Sequence, residues 1–195
     1  MDPTALRREM RRKRRALDAA SRAAIAERIA RRLAGSDWFL RSRRVAAYLA
    51  VDGELDPAPL LHRARALHKT VYLPVLDPLQ DRLWFAPYRP GDALVHNRFG
   101  IPEPAAGGER RVAPWALDLV LAPLVAFDAG GGRLGMGGGF YDRTFAYLRA
   151  RSRWRKPRLL GMAYGFQEVA ALPHRPWDIR LQGCATERAL YRWEA

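Results

Sequence analysis

Cysteine and long apolar segments are nearly absent from this sequence. Cys184 is the only cysteine, so the chain has no internal disulfide partner and no cysteine-based zinc cluster, and we expect its thiol to be a small buried apolar group. No apolar run approaches the roughly 20 residues that span a bilayer. The arginine-rich N-terminus is not followed by the apolar stretch of a secretory signal. We therefore expect a cytoplasmic protein that does not enter a membrane.

Lysine is also scarce, and almost all of the positive charge is arginine. The net charge is +14, yet Lys13, Lys69 and Lys156 are the only lysines. Such a charge suits nucleic-acid binding, where neutralised phosphates dominate the affinity. A basic surface also attracts nucleotides and polyglutamylated cofactors, and arginine usage can follow genomic base composition. The arginine-rich first helix is either a solvated face or a binding surface, so charge alone narrows the partner class only weakly.

Length and hydrophobic periodicity predict one α/β domain over residues 1–195. The chain is long enough for a sizeable core, and its 49% hydrophobic and 28% charged residues are ordinary for a globular protein. Four-residue spacing of apolar residues predicts two N-terminal helices that meet near Asp18. Further helices are predicted over 57–68 and 141–151, strands over 45–50, 70–75, 83–87, 117–125, 158–164 and 178–188, and an irregular connection over 89–114. This alternation predicts an open, largely parallel sheet flanked by helices.

A glycine-rich segment follows the strand predicted at 117–125. Glycines stand at 130–132, 135 and 137–139, and open α/β sheets bind ligands beyond the carboxyl ends of their strands. Glycine lets phosphate oxygens approach the backbone closely, Arg133 adds a fork of donors, and Asp142 is placed to serve a nucleotide-borne Mg²⁺. The segment matches neither a Walker loop nor the dinucleotide fingerprint. A loop whose glycines serve turn geometry alone remains the alternative.

Other sources of chemistry are missing from the sequence. No Ser-His-Asp arrangement is evident, which disfavours a covalent nucleophile. His62 and His68 are six residues apart, a spacing that does not put them on one helical face as metal ligands. We expect the tryptophans to pack rather than to bind ligands, among them Trp84, Trp154, Trp177 and Trp193.

The segment Phe127-Asp128, followed after a spacer by Arg133-Leu-Gly-Met-Gly-Gly-Gly-Phe-Tyr-Asp142, resembles the ATP-binding signature of the 5-formyltetrahydrofolate cyclo-ligases, also called methenyltetrahydrofolate synthetases. The likeness extends over essentially the whole chain. It includes Leu6-Arg7 and Arg14-Arg15-Ala16-Leu17 in the basic first helix, which is similar to the family's nucleotide-contacting helix. It also includes Asp52-Gly-Glu-Leu-Asp56, Phe99-Gly-Ile-Pro-Glu-Pro104, Leu172-Pro-His-Arg-Pro-Trp-Asp178 and Ala185-Thr-Glu187. The chain departs from the family pattern at Pro3, Met136 and Phe140, where the family commonly has a basic residue, a tyrosine or arginine, and a tyrosine.

The resemblance implies a three-layer α/β/α arrangement similar to the NagB/RpiA/CoA-transferase-like fold. It also implies Mg²⁺-ATP-dependent conversion of 5-formyltetrahydrofolate to 5,10-methenyltetrahydrofolate with release of ADP and phosphate. In that reaction the formyl oxygen is phosphorylated, N10 attacks the activated carbon, and phosphate leaves. The implied partners are ATP and a reduced folate with or without a polyglutamate tail. The protein would be a monomer or homodimer, and nucleic acid would not be its partner.

The same resemblance assigns residues to roles. The implied catalytic residues are Arg133, Gly137 and Tyr141. The implied ATP-binding residues are Arg7, Arg8, Arg133, Leu134, Gly135, Met136, Gly137, Gly138, Gly139, Phe140 and Tyr141. The implied folate-binding residues are Leu49, Glu54, Phe99 and Phe140, and the implied Mg²⁺ ligands are Asp142 and Asp178. A noncatalytic nucleic-acid-binding protein on the same scaffold is the alternative, favoured by the charge and by the departures at Pro3 and Met136.

Overall fold

Four helices form in the first 66 residues, and the first two begin at side chains that cap them. The computed structural model describes residues 2–105, 111–150 and 156–193. The Asp2 carboxylate accepts the N–H groups of Thr4 and Ala5, and the Asp18 carboxylate accepts that of Ser21, so backbone donors at both helix starts are satisfied. The helices are α1 (Pro3–Ala16), α2 (Ala19–Ala34), α3 (Asp37–Leu40) and α4 (Ala58–Ala66). The predicted break near Asp18 is confirmed.

Seven strands of the described residues form the main sheet. They are β1 (Arg44–Ala46), β2 (Thr70–Leu76), β3 (Leu83–Pro87), β6 (Leu119–Ala122), β9 (Arg158–Met162), β11 (Gly183–Ala185) and β12 (Leu190–Arg192). Their order is β12-β11-β9-β6-β1-β2-β3. The five inner strands run parallel, whereas β3 and β12 pair antiparallel at the two edges. The predicted open, largely parallel sheet flanked by helices is confirmed.

Alternate side chains of the inner strands are buried on opposite faces of the sheet. Val45 and Leu119 pack with α2 and α4 on one face, whereas Ala46 and Val120 pack with Phe145 and its neighbours on the other. Burial on both faces explains why these strands read as continuous apolar runs in the sequence. A third apolar cluster joins Leu6 and Met10 of α1 to residues 125–126 and Leu172, so α1 docks beside the glycine segment.

The single strand predicted at 117–125 is wrong. Strand β6 ends at Ala122, and the chain then enters a separate three-stranded sheet made of β7 (Ala126–Asp128), β8 (Arg133–Leu134) and β10 (Glu168–Val169). Pro123 lacks a backbone N–H and so cannot extend the ladder of an inner strand. The glycine segment is therefore held by the small sheet rather than by the end of β6.

The helix predicted at 141–151 is also shorter than expected. Helix α5 covers Phe140–Thr144 and is followed by a 3₁₀ segment at Ala146–Ala150; position 151 lies outside the described residues. Aromatic and β-branched residues have modest helix propensity. The Thr144 hydroxyl accepts the N–H of Leu83 at 2.8 Å, so tertiary contacts rather than helical periodicity fix this segment.

Two further segments differ from the sequence expectation. The described part of 89–114 contains an antiparallel hairpin of β4 (Leu94–His96) and β5 (Pro102–Pro104), whereas 106–110 lie outside the described residues. The strand predicted over 178–188 is formed only at β11. The residues before it are tied elsewhere, because the N–H of Leu181 donates to the Gly131 carbonyl. Within the described part of the chain, no helix is both long and apolar enough to cross a membrane.

Candidate functional site

A large open cleft lies beyond the carboxyl ends of β1, β2 and β6. The chain order reverses at β1, because β2 lies on one side of it and the later strand β6 on the other. Open α/β sheets bind ligands at such a switch point. The cleft has a volume of about 1320 Å³. Its walls are formed by α1, the loop after β1, β2, the loop between β4 and β5, residues 133–149 and residues 172–178.

The first part of the glycine segment wraps around a buried carboxylate. Gly130 and Gly132 each donate an N–H to Asp128 at 2.9 Å, and Leu172 does the same from another loop. Burial alone would raise the pKa of Asp128, but these three donors outweigh it and hold that pKa below its usual value. A Cβ at Gly132 would lie 2.4 Å from the His174 ring. Turn geometry at Gly131, which has φ +78°, and close packing at Gly132 therefore account for these two glycines.

The second part, 135–139, lies on the wall of the cleft. Gly137 has φ +109° and Gly139 has φ +66°, conformations that residues with a Cβ rarely adopt. The Arg7 Nε of α1 donates to the Gly135 carbonyl at 2.8 Å, and its guanidinium carbon lies 3.7 Å from where a Cβ on Gly137 would be. Helix α1 therefore brings a guanidinium directly against bare backbone, the combination that suits an anion.

Arg133 stands at the base of this wall in a nearly buried position. Its Nη2 donates to Asp142 Oδ1 at 3.0 Å, and its guanidinium lies 5.3 Å from the centre of the Tyr141 ring. The Tyr141 hydroxyl is buried and has no hydrogen-bond partner among the described residues. Burial raises the pKa of Tyr141, so the phenol stays protonated and its O–H remains a donor in the cleft.

The loop after β1 presents Glu54 to the same cleft. The side chain is only 8% exposed; its Oε2 accepts the Val51 N–H at 3.3 Å, and its Oε1 lies 3.6 Å from Arg14 Nη1. Burial raises the pKa of Glu54, and the Arg14 charge offsets part of that effect. Tyr48 lies nearby, with its hydroxyl bonded to the Leu55 carbonyl at 2.7 Å. A buried acid with a shifted pKa on the wall of a cleft is a candidate for substrate recognition.

An aromatic pair closes one side of the cleft between the loop that joins β4 to β5 and the glycine wall. The rings of Phe99 and Phe140 meet edge to face with centroids 5.5 Å apart, and Phe99 is 54% exposed. Asn97 shapes this loop, because its Oδ1 accepts the N–H groups of Phe99 and Ile101. Exposed rings on a concave surface suit a flat, partly apolar ligand.

The structure brings together nearly all residues that the resemblance selected. Fifteen of them line the cleft, namely Arg7, Leu49, Glu54, Phe99, Arg133, Leu134, Gly135, Met136, Gly137, Gly138, Gly139, Phe140, Tyr141, Asp142 and Asp178. Arg8 is different, because it is exposed on α1 and does not line the cleft. Neighbouring residues on a helix point about 100° apart, so Arg7 and Arg8 cannot both face the same wall. The geometry supports no ATP contact by Arg8.

Asp142 and Asp178 suit a metal ion that arrives with a ligand rather than one held by the protein alone. Asp142 Oδ1 already accepts from Arg133 and from the Ile179 N–H, and Asp178 Oδ2 accepts the Arg175 N–H at 2.9 Å. Across 2–105, 111–150 and 156–193, no group of three or more His, Cys, Asp or Glu side chains could hold a metal. Mg²⁺ is commonly held by one or two carboxylates together with substrate phosphates and water, and these two residues fit that pattern.

Several cleft residues are not identified by sequence reasoning. Trp177 is 54% exposed on the cleft wall, although packing was expected; Trp154 lies outside the described residues. The cleft is also lined by four further arginines, Arg82, Arg143, Arg149 and Arg175. Arg143 Nη2 donates to the Gly138 carbonyl at 2.5 Å and so braces the glycine wall. The sequence does not distinguish these four cleft arginines from the many others in an arginine-rich chain, except where they lie near the motifs.

Comparisons with known proteins point to one family. The model of the 5-formyltetrahydrofolate cyclo-ligase family matches residues 2–187. The chain is 39% identical over 188 residues to the 5-formyltetrahydrofolate cyclo-ligase of Escherichia coli K12, covering 94% of this chain and 100% of the relative. Identity to the Haemophilus influenzae protein of the same name is also 39%, over 144 residues, 72% of this chain and 74% of that one. The solution structure of Aquifex aeolicus 5,10-methenyltetrahydrofolate synthetase superposes with a TM-score of 0.81 at 32% identity, covering 100% of this chain and 94% of that one.

Proposed function

Because the chain belongs to the 5-formyltetrahydrofolate cyclo-ligase family, we propose that it converts 5-formyltetrahydrofolate to 5,10-methenyltetrahydrofolate with hydrolysis of ATP to ADP and phosphate. Its relatives are named as enzymes of this reaction, and the family predicted from the glycine segment is confirmed. The noncatalytic nucleic-acid-binding alternative is not favoured by any of these comparisons.

One observation carries the proposal. The glycine wall with Arg7 and Arg133, and the opposite loop with Glu54, face a single continuous cleft of about 1320 Å³. A pocket for one drug-sized ligand is typically about 300–1,000 Å³. The cleft therefore has room for a nucleotide and a pterin side by side, as direct phosphoryl transfer between them requires.

We assign the nucleotide to the glycine wall. Residues 135–139 provide backbone that phosphate oxygens can approach closely, while Arg7 and Arg133 provide positive charge next to it. Asp142, with Asp178 as the second candidate, would hold Mg²⁺ together with the phosphates. When bound, that ion neutralises charge on the phosphates and on the group being transferred. In this chain the charge-stabilising arginines need no further group to place them, because the Asp142 carboxylate and the Gly135 carbonyl already fix them.

We assign the folate to the opposite side. Glu54 is the buried carboxylate that can accept hydrogen bonds from the polar edge of a pterin, and Phe99 with Phe140 supplies ring surface for its apolar face. The buried Tyr141 O–H, without a partner among the described residues, lies on the wall between the two sides. Its donor is suited to an oxygen of the transferring group.

The proposed chemistry needs no nucleophile from the protein. The formyl oxygen of the folate attacks the γ-phosphorus of ATP, and the bond to the β–γ bridging oxygen breaks, which releases ADP. N10 then attacks the activated formyl carbon and loses its proton; the carbon–oxygen bond breaks and phosphate leaves. Cys184 is fully buried and burial raises the pKa of its thiol well above the usual value, so it has no part in these steps. The chain contributes orientation, positive charge and shielding from water.

The test is a spectroscopic assay of the purified protein with 5-formyltetrahydrofolate and Mg²⁺-ATP. We expect methenyl absorbance to appear, and to be lost when ATP is omitted or when EDTA is added. The Asp142→Asn variant should be much slower. Glu9→Gln removes an exposed carboxylate whose one ion pair among the described residues is with Lys13, so it should match the native protein. Absence of methenyl product, together with steeply salt-dependent nucleic-acid binding and no affinity for ATP, would refute the proposal in favour of the alternative.

A further inference from the structure

Helix α1 contains a fully buried arginine, Arg14, which lies in the Arg14-Arg15-Ala16-Leu17 part of the resemblance but is not among the residues to which the resemblance assigns a role. The Arg14 side chain has 0% exposure, and its guanidinium lies between the two acidic residues of the loop after β1. Nη2 is 3.3 Å from Asp52 Oδ2, and Nη1 is 3.6 Å from Glu54 Oε1. Its Nε and Nη1 have no hydrogen-bond partner among the described residues, so carboxylate charge rather than neutral acceptors compensates this guanidinium. A buried charge without such compensation would be costly.

Asp52 has other partners, which leaves Arg14 as the counter-charge of Glu54. Arg11 Nε donates to Asp52 Oδ2 at 2.5 Å, and Arg15 Nε donates to Asp52 Oδ1. Both of these arginines are substantially exposed, and neither forms an ion pair with Glu54 among the described residues. Arg14 Nη2 also donates to Asp52 at 3.3 Å, so three arginines share Asp52. Among the described residues, however, Arg14 is the one arginine that pairs with Glu54.

The backbone of the loop is built to keep this inner pair together. Asp52 has φ +52° and Gly53 has φ +72°, so the chain makes a tight left-handed turn immediately before Glu54. A Cβ on Gly53 would lie 3.3 Å from the carbonyl carbon and oxygen of Arg14, which shows that the turn sits directly on α1. The Tyr164 hydroxyl donates to the Gly53 carbonyl at 3.3 Å from the other side.

We propose that Arg14 is a positioning residue that holds the Glu54 carboxylate in place for the folate. This inference rests on the proposed function, because it assigns Glu54 to the folate side of the cleft. Arg14 does not line the cleft, so it acts through Glu54 and through the turn at 52–53 rather than by touching substrate.

Arg14 also affects the pKa of Glu54. Burial raises the pKa of Glu54, Arg14 lowers it, and the neighbouring Asp52 charge raises it again; Tyr48 and Tyr141 are the other titratable groups coupled to Glu54. Both tyrosines stay neutral at ordinary pH, because burial raises their pKa values. Removing the Arg14 charge therefore raises the pKa of Glu54 further. Ionised Glu54 would then be lost at a higher pH as the solution is acidified.

The same helix offers an internal reference for the experiment. Arg7, two helical turns before Arg14, contacts the glycine wall at Gly135, so the two ends of α1 contact the part of the cleft assigned to ATP and the part assigned to folate. If Arg14 merely anchors the helix, its loss disturbs ATP and folate binding together. If it positions Glu54, the folate side alone responds.

The experiment compares Arg14→Met with Arg15→Met. Arg15 also pairs with Asp52 but is 60% exposed and does not contact Glu54, so it is the matched control. For Arg14→Met we expect the folate KM to rise about tenfold, the scale of one lost interaction with a charged group. The ATP KM should stay within about twofold of the native value, and the acid limb of kcat/KM for folate should move to higher pH. Arg15→Met should match the native protein in all three.

Arg14→Lys keeps the charge, so its folate KM should lie between the values of the native protein and of Arg14→Met. In a Glu54→Gln background, Arg14→Met should not raise the folate KM further. A folded Arg14→Met protein with native folate KM, or one with equal rises in both KM values, would overturn the inference. Should Arg14→Met fail to fold, Arg14→Lys is compared with Arg15→Lys. A folate KM about threefold higher only in the former supports the inference, because a single ammonium cannot reproduce the fork; equal values refute it. If the native protein forms no methenyl product, the proposed function fails first.

Discussion

Replacement of Arg133 by methionine tests the glycine wall most directly. The side chain is 5% exposed and makes two specific contacts, a hydrogen bond from Nη2 to Asp142 at 3.0 Å and a cation–π contact with Tyr141 at 5.3 Å. The hydrogen bond to a charged group contributes about 1.5–3 kcal/mol, and the ring contact about 1–2 kcal/mol. Asp142 is partly exposed, so water will solvate part of the carboxylate charge that the variant leaves behind.

We therefore expect Arg133→Met to lower the free energy of unfolding by about 2–4 kcal/mol, because these contributions are not fully additive. In a chain of this length that is a fall in Tm of about 5–12 °C. Activity should fall more steeply, by about 10²–10³ in kcat, because the variant removes a positive charge aimed at the transferring phosphoryl group. Thermal unfolding followed by circular dichroism gives the first quantity, and methenyl absorbance under saturating substrates gives the second.

Arg31→Met is the matched control, because Arg31 is exposed and the one ion pair that it forms within the described part of the chain, with Glu27, is long at 3.7 Å. It should change the free energy of unfolding by no more than about 0.5 kcal/mol and leave kcat unchanged. Asp142→Asn should lower kcat while it retains an acceptor for Arg133, and the two substitutions should be coupled. A folded Arg133→Met protein with native Tm and kcat within about threefold would refute both the packing and the catalytic reasoning.

Three further predictions concern other walls of the site. Glu54→Gln should lower kcat/KM for folate about tenfold or more. Because the pKa of Glu54 is raised in the native protein, native activity should fall as the pH drops through that pKa. The pH profile of the variant should not show this fall. Arg7→Met should raise the ATP KM about tenfold in initial-rate assays and leave the folate KM unchanged, and the reverse pattern would contradict the assignment of the two sides. Gly132→Ala should lower Tm by about 5–10 °C. Gly35→Ala should leave Tm nearly unchanged, because a Cβ there would meet nothing closer than 3.9 Å. Equal shifts of Tm in thermal melts would contradict a steric origin.

Much of the fold could be predicted because local signals and tertiary contacts agree. Apolar spacing predicts two N-terminal helices with a break near Asp18, and in the structure Asp18 caps the start of the second helix. Strands buried on both faces appear as continuous apolar runs, so the inner strands near 45, 70 and 158 were predicted with errors only at their ends. The single domain over 1–195 and the roles of individual site residues stay predictions.

The errors arise where tertiary contacts override local pattern. The apolar run 117–125 gives no sign that Pro123 sends the chain into a second sheet. The helix after Gly139 is short because Thr144 bonds to β3 and Phe145 is buried. In the site, the glycines divide into a turn around Asp128 and a wall of the cleft, a division that spacing alone does not reveal. The burial of Arg14 was not predicted for a similar reason: Arg14 and Arg15 are equivalent in the sequence, and only the structure shows that Arg14 is buried and Arg15 exposed.

The basic first helix shows how far charge could be interpreted from sequence. Exposure differs among its arginines: Arg8 and Arg12 are exposed to solvent, whereas Arg7 and Arg14 face the protein. What separates them is the apolar stripe of Leu6 and Met10, both nearly buried, which docks α1 onto the strand leading into the glycine segment. Docking of that stripe fixes the rotation of α1 about its axis, and the rotation decides which guanidinium groups reach the glycine wall and the Glu54 loop. Apolar packing therefore decides which arginines of α1 contact the cleft walls and which remain in solvent. The net charge of +14 alone does not predict this division.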